Sequence, residues 1–255
     1  MIFDRFFRRA QQAPAPVALN AELPAGERVY AIGDIHGRLD LLDALLGHIH
    51  RDDLARAPAR TTIVFLGDLI DRGPDACGVI ERAMAVAEQD NAIFIMGNHE
   101  ELLLRLCAGD KRIAAPFHRV GGRATLLSYG VAAEDYDKHE LAELPEMAAH
   151  AVPQLHLDFI SGFLTSWRCG TYFFTHAGVV PGIALDDQSA EDLRWIRDAF
   201  TLSDADHGAV IVHGHTVSEA VEERVNRIGI DTGAYASGTL TALGLQGAER
   251  WYLQT

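Results

Sequence analysis

The stretch over residues 61–73 (TTIVFLGDLIDRG) constrains this chain more than any other. Its first half is apolar and β-branched, which predicts a buried strand. Asp68, Asp71 and Arg72 follow directly after the glycine that ends the strand. Buried carboxylates need partners, because an unpaired charge is unfavourable away from water. Two cations with a phosphate between them would be suitable partners, whereas a polar loop with a surface salt bridge is the simpler interpretation of this segment taken alone.

Four other apolar runs end in the same manner. They are followed by Asp34 and His36, by Asn98 and His99, by His176, and by His213 and His215. A single histidine after a strand is usually a hydrogen-bonded structural group. Five such strand ends in one chain instead predict a shared site, since ligands in α/β proteins bind at the carboxyl ends of strands. Nitrogen and oxygen donors without thiolate suit manganese, iron or zinc.

The composition allows one large domain. The 255 residues are 48% hydrophobic, and no run reaches the roughly 18 apolar residues of a membrane span. A net charge of −14 argues against a nucleic-acid backbone as the main partner. Three scattered cysteines without a CxxC pair suit a reducing compartment. We therefore expect a cytoplasmic protein without a nucleic-acid partner or a stable membrane insertion, and the oligomeric state is left open.

The order of patterns along the chain predicts an α/β protein with two mixed β-sheets flanked by helices. Residues 1–27 form an N-terminal tail whose Phe3, Phe6 and Phe7 would contact a membrane surface, a partner or the domain itself. A single domain is expected over residues 28–255. Within it, residues from about 108 to 168 read as an inserted helical cap, either shaping substrate access or packing the core. The segments after residue 226 are expected to pair antiparallel and complete the second sheet.

The ordered set of motifs resembles that of the phosphoprotein phosphatases, a branch of the calcineurin-like metallophosphoesterases. These motifs are Asp34-x-His36, Gly67-Asp68-x-x-Asp71-Arg72-Gly73, Gly97-Asn98-His99-Glu100, His176 and Gly214-His215. The similarity spans about residues 29–245. Trp195-x-Arg197 and the segment 230–234 (IDTGA) are similar to the compact bacterial and bacteriophage lambda-type serine/threonine phosphatases in particular.

This resemblance implies a metallophosphoesterase sandwich that holds two divalent ions, with manganese expected and iron or zinc as alternatives. The first ion would be bound by Asp34, His36 and Asp68, and the second by Asp68 as a bridge with Asn98, His176 and His215. Arg72 and Arg197 would bind phosphate oxygens, and His99, supported by Asp71, would act as the general acid. His213 matches no ligand position, so we expect a structural role for it, and Tyr235 is expected near the site.

The expected activity is phosphomonoester hydrolysis by a metal-bridging hydroxide that attacks phosphorus in line. The expected substrate is a phosphorylated protein or peptide, on serine/threonine or with dual specificity. A symmetrical diadenosine tetraphosphate hydrolase is the alternative. Enzymes of that branch tend to have Ala at the position of Asp71 and Asp at the position of Glu100, so these two residues favour the protein phosphatase. A non-catalytic metal-binding regulatory protein is a more distant alternative, because no ligand and no acid is missing.

Overall fold

Two five-stranded mixed sheets form the centre of the computed structural model, which describes residues 21–255. The strands are β1 (Glu27–Ile32), β2 (Arg60–Phe65), β3 (Ala92–Phe94), β4 (Ser166–Cys169), β5 (Tyr172–Thr175), β6 (Val210–His213), β7 (Glu222–Glu223), β8 (Arg227–Gly229), β9 (Thr241–Gln246) and β10 (Glu249–Gln254). The sheet orders are β10-β9-β1-β2-β3 and β4-β5-β6-β8-β7. In each sheet three neighbouring strands are parallel (β1-β2-β3 and β5-β6-β8) and the remaining pairs are antiparallel. The predicted α/β sandwich of two mixed sheets is confirmed.

Helices cover the outer faces of the sheets. They are α1 (Leu39–Ala55), α2 (Ala76–Gln89), α3 (Asn98–Cys107), α4 (Ala114–Arg119), α5 (Gly122–Ser128), α6 (Ala133–Lys138), α7 (Leu144–Ala151), α8 (Gln154–Ser161), α9 (Ala190–Trp195), α10 (Asp198–Thr201) and α11 (Ala234–Ser237). Short 3-10 turns occupy Lys111–Ile113, Leu141–Glu143 and Leu185–Asp187. The leucine spacing of α1 buries Leu42, Leu45 and Ile49, because residues three and four apart share one helix face.

The central strands are buried on both faces. On β1, Val29 and Ala31 pack in the cluster between the two sheets, whereas Tyr30 and Ile32 pack in the cluster beneath the helices. A slip of one residue in the β1–β2 register would exchange these two sets, so packing on both sides specifies the register. The register also fixes the relative positions of the loops that follow β1 and β2, and these loops carry side chains of the site.

The C-terminal strands differ from the prediction. Instead of completing the second sheet together, β8 lies there parallel to β6, while β9 joins the first sheet antiparallel to β1 and β10 pairs antiparallel with β9 at its edge. Leu243 and Leu245 of β9 pack between the sheets and Ala242 packs beneath the helices. A strand that is apolar on both faces is best buried in a central position, which β9 takes beside β1.

Two boundaries also differ from the expected ones. Ala21 and Leu23 are buried between the sheets, and Leu23 N donates to Gly247 O at 2.9 Å, so the packed region begins before residue 28. The helical insertion ends with α8, and Ser166–Cys169 pairs with β5 as an edge strand. The expectation for Phe3, Phe6 and Phe7 lies outside the described residues. Within residues 21–255, no helix has the length and apolar character needed to cross a bilayer.

Candidate metal centre

Polar loops from both sheets meet beyond the carboxyl ends of the strands. Backbone hydrogen bonds join neighbouring loops within each sheet: Ile35 N donates to Asp68 O at 3.1 Å, and Gly214 N donates to His176 O at 2.8 Å. Most of the predicted site residues are buried there: Asp34, His36, Asp68, Asp71, Asn98, His99, His176 and His215. Arg72 is half-buried and Arg197 is exposed. Parallel strands bring these distant segments to one end of the fold.

Asp68 lies at the centre of this cluster. Its Oδ2 is 3.7 Å from His36 Nε2 and 3.5 Å from His99 Nε2, and its Oδ1 is 3.3 Å from His176 Nε2. This carboxylate belongs to two sets of three donor atoms. The first set comes from His36, Asp68 and His99, and the second from Asp68, His176 and His215. Within each set the three atoms lie within 4.8 Å of one another. A carboxylate shared by two sets of donors is the arrangement that bridging of two cations requires.

The histidine rings are held in defined orientations. His36 Nδ1 lies 2.8 Å from Ile70 O and His176 Nδ1 lies 2.8 Å from Leu66 O, so a backbone carbonyl fixes each ring. His176 Nε2 is 3.0 Å from Asn98 Oδ1 and 3.1 Å from His215 Nδ1. Carbonyl partners of this kind are typical of metal-binding histidines, because they fix the tautomer and leave the other nitrogen for the metal.

Asp34 is placed differently from the other predicted ligands. Its two carboxylate oxygens accept the backbone N–H of His215, at 3.2 and 3.1 Å. His99, predicted as an acid and not as a ligand, takes part in the first set of donors instead. The positions of the ten predicted site residues are thus described, while their roles as ligands, acid or phosphate binders stay predictions.

The backbone of the cluster is strained. Within residues 21–255, the non-glycine residues with a positive φ are His36 (48°), Asp68 (52°), Asp71 (69°), Arg72 (68°) and His215 (62°). All of them are predicted site residues. Such a conformation is disfavoured by about 1–3 kcal/mol per residue and persists where surrounding contacts enforce it, which occurs mostly at functional sites. The strain therefore supports a functional interpretation of this cluster without reference to its side chains.

His99 and Asp71 form a buried pair. His99 Nδ1 lies 2.6 Å from Asp71 Oδ2. Burial alone would lower the pKa of His99, but the carboxylates of Asp68 and Asp71 raise it above its ordinary value. A raised pKa favours the protonated ring, the form that a general acid requires.

Thr125 holds the far side of this pair and was not predicted from the sequence. Its Oγ1 donates to Asp71 Oδ1 at 2.5 Å and accepts the Asp71 backbone N–H at 2.9 Å. Thr125 belongs to α5, so the helical insertion contributes directly to the candidate site. The sequence could not reveal this contact, because a single threonine in a helical stretch indicates nothing about a carboxylate 54 residues earlier in the chain.

Replacing Thr125 with valine is expected to lower the free energy of unfolding by about 1–3 kcal/mol, because two buried polar groups of Asp71 lose their partner. Chemical denaturation of the purified protein measures this change. Thr125→Ser, which keeps the hydroxyl, is the matched control and should retain most of the stability. A larger loss in Thr125→Ser than in Thr125→Val would show that the methyl group, and not the hydrogen bonds, matters at this position.

Two arginines near the cluster lack a carboxylate partner among residues 21–255. Arg72 Nη2 is 3.3 Å from His99 Nε2, and Arg197 Nη1 donates to the carbonyl of His215 at 3.4 Å. Arg194, in the same segment as Arg197, is instead paired with Glu101 at 2.9 Å. Arg72 and Arg197 therefore retain unpaired positive charge for an anion, and a phosphoryl group fits the planar guanidinium well.

The acidic groups of the cluster repel one another. Burial, reinforced by Asp231 and Asp68, raises the pKa of Asp34 well above its ordinary value. Burial also raises the pKa of Asp231, whose Oδ2 has no hydrogen-bond partner. For Asp68, burial is outweighed by the histidines around it, His176 foremost, and the pKa is lowered. Cations would relieve both the repulsion and the desolvation, so this donor set fits divalent metals. From the sequence, Asp231 was part of the segment 230–234 that resembles the lambda-type phosphatases, but it was given no role of its own.

Glu100 has a structural task that the sequence did not reveal. Its buried carboxylate accepts backbone N–H groups from Asp68 at 2.8 Å, Leu69 at 2.7 Å and Gly97 at 3.0 Å. Burial raises the pKa of this carboxyl to about 7. Glu100 thereby ties the loop after β2 to the start of α3. His213, expected to be structural, lies outside both sets of donors and packs its ring 5.1 Å from that of Phe200.

The sandwich of two mixed sheets and the aspartate–histidine cluster at its strand ends define a metallophosphoesterase. The chain belongs to the calcineurin-like phosphoesterase family, which it matches over residues 27–238. Proteins of this family are hydrolases of phosphoesters that use a dinuclear metal site.

Several relatives that are similar in sequence to this chain are bis(5′-nucleosyl)-tetraphosphatases. An asymmetrical bis(5′-nucleosyl)-tetraphosphatase, PrpE, from Anoxybacillus flavithermus is 29% identical over 83% of this chain and 88% of its own length. A symmetrical bis(5′-nucleosyl)-tetraphosphatase from Ralstonia nicotianae is 34% identical, but over only 33% of this chain and 27% of its own. A crystal structure of a candidate diadenosine tetraphosphatase superposes with a TM-score of 0.62 at 21% identity, covering 93% of this chain and 96% of that one. Protein tyrosine and serine/threonine phosphatases share the fold at lower identity.

Proposed function

We propose that this protein hydrolyses bis(5′-nucleosyl) tetraphosphates. The observation that carries the proposal is the similarity to a bis(5′-nucleosyl)-tetraphosphatase along 83% of the chain. The comparisons thus favour the substrate class of the alternative, a dinucleoside tetraphosphate, over the expected phosphoprotein, although the relative that matches most of the chain is asymmetrical and not symmetrical. Glu100, which had favoured the phosphatase, contacts backbone amides and therefore does not discriminate between substrates, whereas Asp71 contacts His99.

The proposed ligands are Asp34, His36, Asp68, Asn98, His176 and His215, with Asp231 beside Asp34. Two divalent cations held there would lower the pKa of water and neutralise charge on the phosphoryl group. Manganese is the proposed metal, with iron and zinc as alternatives, because the donors are nitrogen and oxygen only. Arg72 and Arg197 would hold the remaining phosphoryl oxygens, and they orient the phosphorus for in-line displacement.

A phosphoprotein phosphatase is the second candidate, and the buried His99–Asp71 pair favours it. A serine or threonine alkoxide is a strong base that must receive a proton as it leaves. The nucleotide released from a dinucleoside tetraphosphate is a weaker base and needs the proton less. A well-built proton donor, with Nδ1 held at 2.6 Å by Asp71, is therefore better explained by an alkoxide leaving group.

Side-by-side turnover with Mn²⁺ tests the two candidates. The substrates are diadenosine tetraphosphate, a phosphoserine/phosphothreonine peptide and a phosphotyrosine peptide, each at matched concentration. We expect kcat/KM for the dinucleotide to exceed that for either peptide by at least about tenfold, a difference of about 1.4 kcal/mol in transition-state binding. A peptide turned over ahead of the dinucleotide would reverse the assignment while leaving the metal centre intact.

A further inference from the structure

A groove of about 700 Å³ opens beside the candidate metal centre. It lies between the start of α1, the loop after Arg72 and the short helix α11, and its walls include Arg38, Asp40, Arg72, Pro74 and Tyr235. No role was predicted for it from the sequence beyond the expectation that Tyr235 lies near the site. The groove is too large for a phosphoryl group alone, so it can accommodate a further part of the substrate.

Tyr235 connects this groove to the metal centre. Its ring centroid is 5.5 Å from that of His36, and the guanidinium carbon of Arg72 lies 4.5 Å from its ring centroid. The side chain is 40% exposed, and its hydroxyl has no hydrogen-bond partner within the described part of the chain. An exposed aromatic ring with a free hydroxyl next to a phosphate-binding arginine is suited to stack with a nucleobase.

The other charges of the groove limit what it can bind. Arg38 is paired with Asp40 through two contacts of 2.8 and 2.7 Å, and its third nitrogen donates to Ala234 O at 3.1 Å. Arg38 thus holds the backbone that carries Tyr235 and has little charge left for a phosphate. Asp43 is paired with Arg82 in the same way. Arg72 is consequently the one arginine among the described lining residues without a carboxylate partner, so the groove favours an uncharged nucleoside over a polyphosphate.

We propose that this groove binds one nucleoside of the substrate, with its base against Tyr235 and its α-phosphate at Arg72 and the metal centre. This inference rests on the proposed function. The water oxygen would bond to the α-phosphorus as the bond to the bridging oxygen breaks. The bridging oxygen leaves with the β-phosphorus as a terminal oxygen of a nucleoside triphosphate, and the water proton is released to solvent. Diadenosine tetraphosphate then yields AMP and ATP, not two molecules of ADP.

The experiment has two parts that fail independently. The first follows the products of diadenosine tetraphosphate with the Mn²⁺-loaded wild type, and AMP plus ATP are expected. Absence of turnover would overturn the proposed function, and ADP as the product would overturn the position assigned to the α-phosphate.

The second part needs no dinucleotide turnover. AMP and ribose 5-phosphate compete with p-nitrophenyl phosphate, and the wild type should bind AMP about 5- to 100-fold more tightly, as expected for one stacked base. Tyr235→Ala should remove most of this preference, and Tyr235→Phe, which keeps the ring, should restore it. A preference that is missing in the wild type, or unchanged in Tyr235→Ala, would overturn the nucleoside groove whatever the first part shows.

Discussion

Replacing Asp68 with asparagine is expected to lower kcat/KM by at least about 10³-fold, which corresponds to roughly 4 kcal/mol of lost transition-state stabilisation. Asp68 is the carboxylate that both sets of donors share, with three histidine nitrogens at 3.3–3.7 Å. Asparagine keeps the size of the side chain but replaces one carboxylate oxygen by an NH2 group, which has no lone pair available for a cation, so one side chain can no longer bridge two ions. The loss should appear with every phosphoester substrate, because the metal centre acts on the phosphoryl group that all of these substrates share.

Metal-dependent stability provides a second readout for the same variant. A cation that binds the folded wild type at about 100 times its Kd adds about 2.7 kcal/mol, or roughly 5–10 °C in Tm for a domain of this size. Asp68→Asn should lose most of the shift produced by Mn²⁺. Asp90→Asn is the matched control, since Asp90 is exposed and precedes β3, at the opposite end of that strand from Asn98. A normal Mn²⁺ shift in Asp68→Asn would contradict the shared-ligand role.

Replacing His99 with asparagine is expected to have the second largest effect, and one that depends on the leaving group. Loss of a general acid typically lowers the rate by about 10²–10⁴-fold when the leaving group is a strong base. We expect a loss of this size with a phosphoserine peptide and a loss below about tenfold with p-nitrophenyl phosphate, whose nitrophenolate leaves without a proton. The loss of rate with diadenosine tetraphosphate should be close to the loss with p-nitrophenyl phosphate.

The pH dependence checks the same role for His99. Because the pKa of His99 is raised by Asp68 and Asp71, the protonated acid persists above the ordinary range of histidine and is lost only as the pH rises through that raised value. The wild-type rate on phosphoserine should therefore fall on the alkaline side, and this fall should be absent in the variant. Asp71→Asn should move the fall to lower pH. Equal losses on both substrates, with an unchanged pH profile, would exclude His99 as the acid.

Much of the fold and of the candidate site was predictable from local patterns. The apolar runs at residues 29–32 and 61–66, and the leucine spacing after residue 38, express two- and 3.6-residue periods that depend only on neighbours in the chain. Aspartate, asparagine or histidine directly after each apolar run is likewise a local signal. The general rule that ligands bind at the carboxyl ends of strands then brings these residues together without knowledge of the pairing.

Contacts between distant segments were not predictable in this way. The place of β9 beside β1 is set by burial on both of its faces, and the sequence of the strand does not name its neighbour. The contacts of Thr125, Asp231 and Tyr235 could not be predicted, because they depend on side chains that approach these residues from elsewhere in the fold. The pairing of Arg194 with Glu101 on α3 is another such contact, and it leaves Arg197, the arginine predicted from the motif, as the one of these two arginines available to an anion.

The motif residues and their order along the chain were enough to predict the class of chemistry, that of a metal-dependent phosphoesterase. The tertiary structure decided what surrounds that site: which carboxylates repel, which arginine remains unpaired, and where a groove of 700 Å³ opens beside Arg72. The physical reason is the separation along the chain over which each of these properties arises. Donor chemistry belongs to single residues and their neighbours, whereas repulsion, pairing and the shape of a groove arise only when segments distant in the chain are packed together.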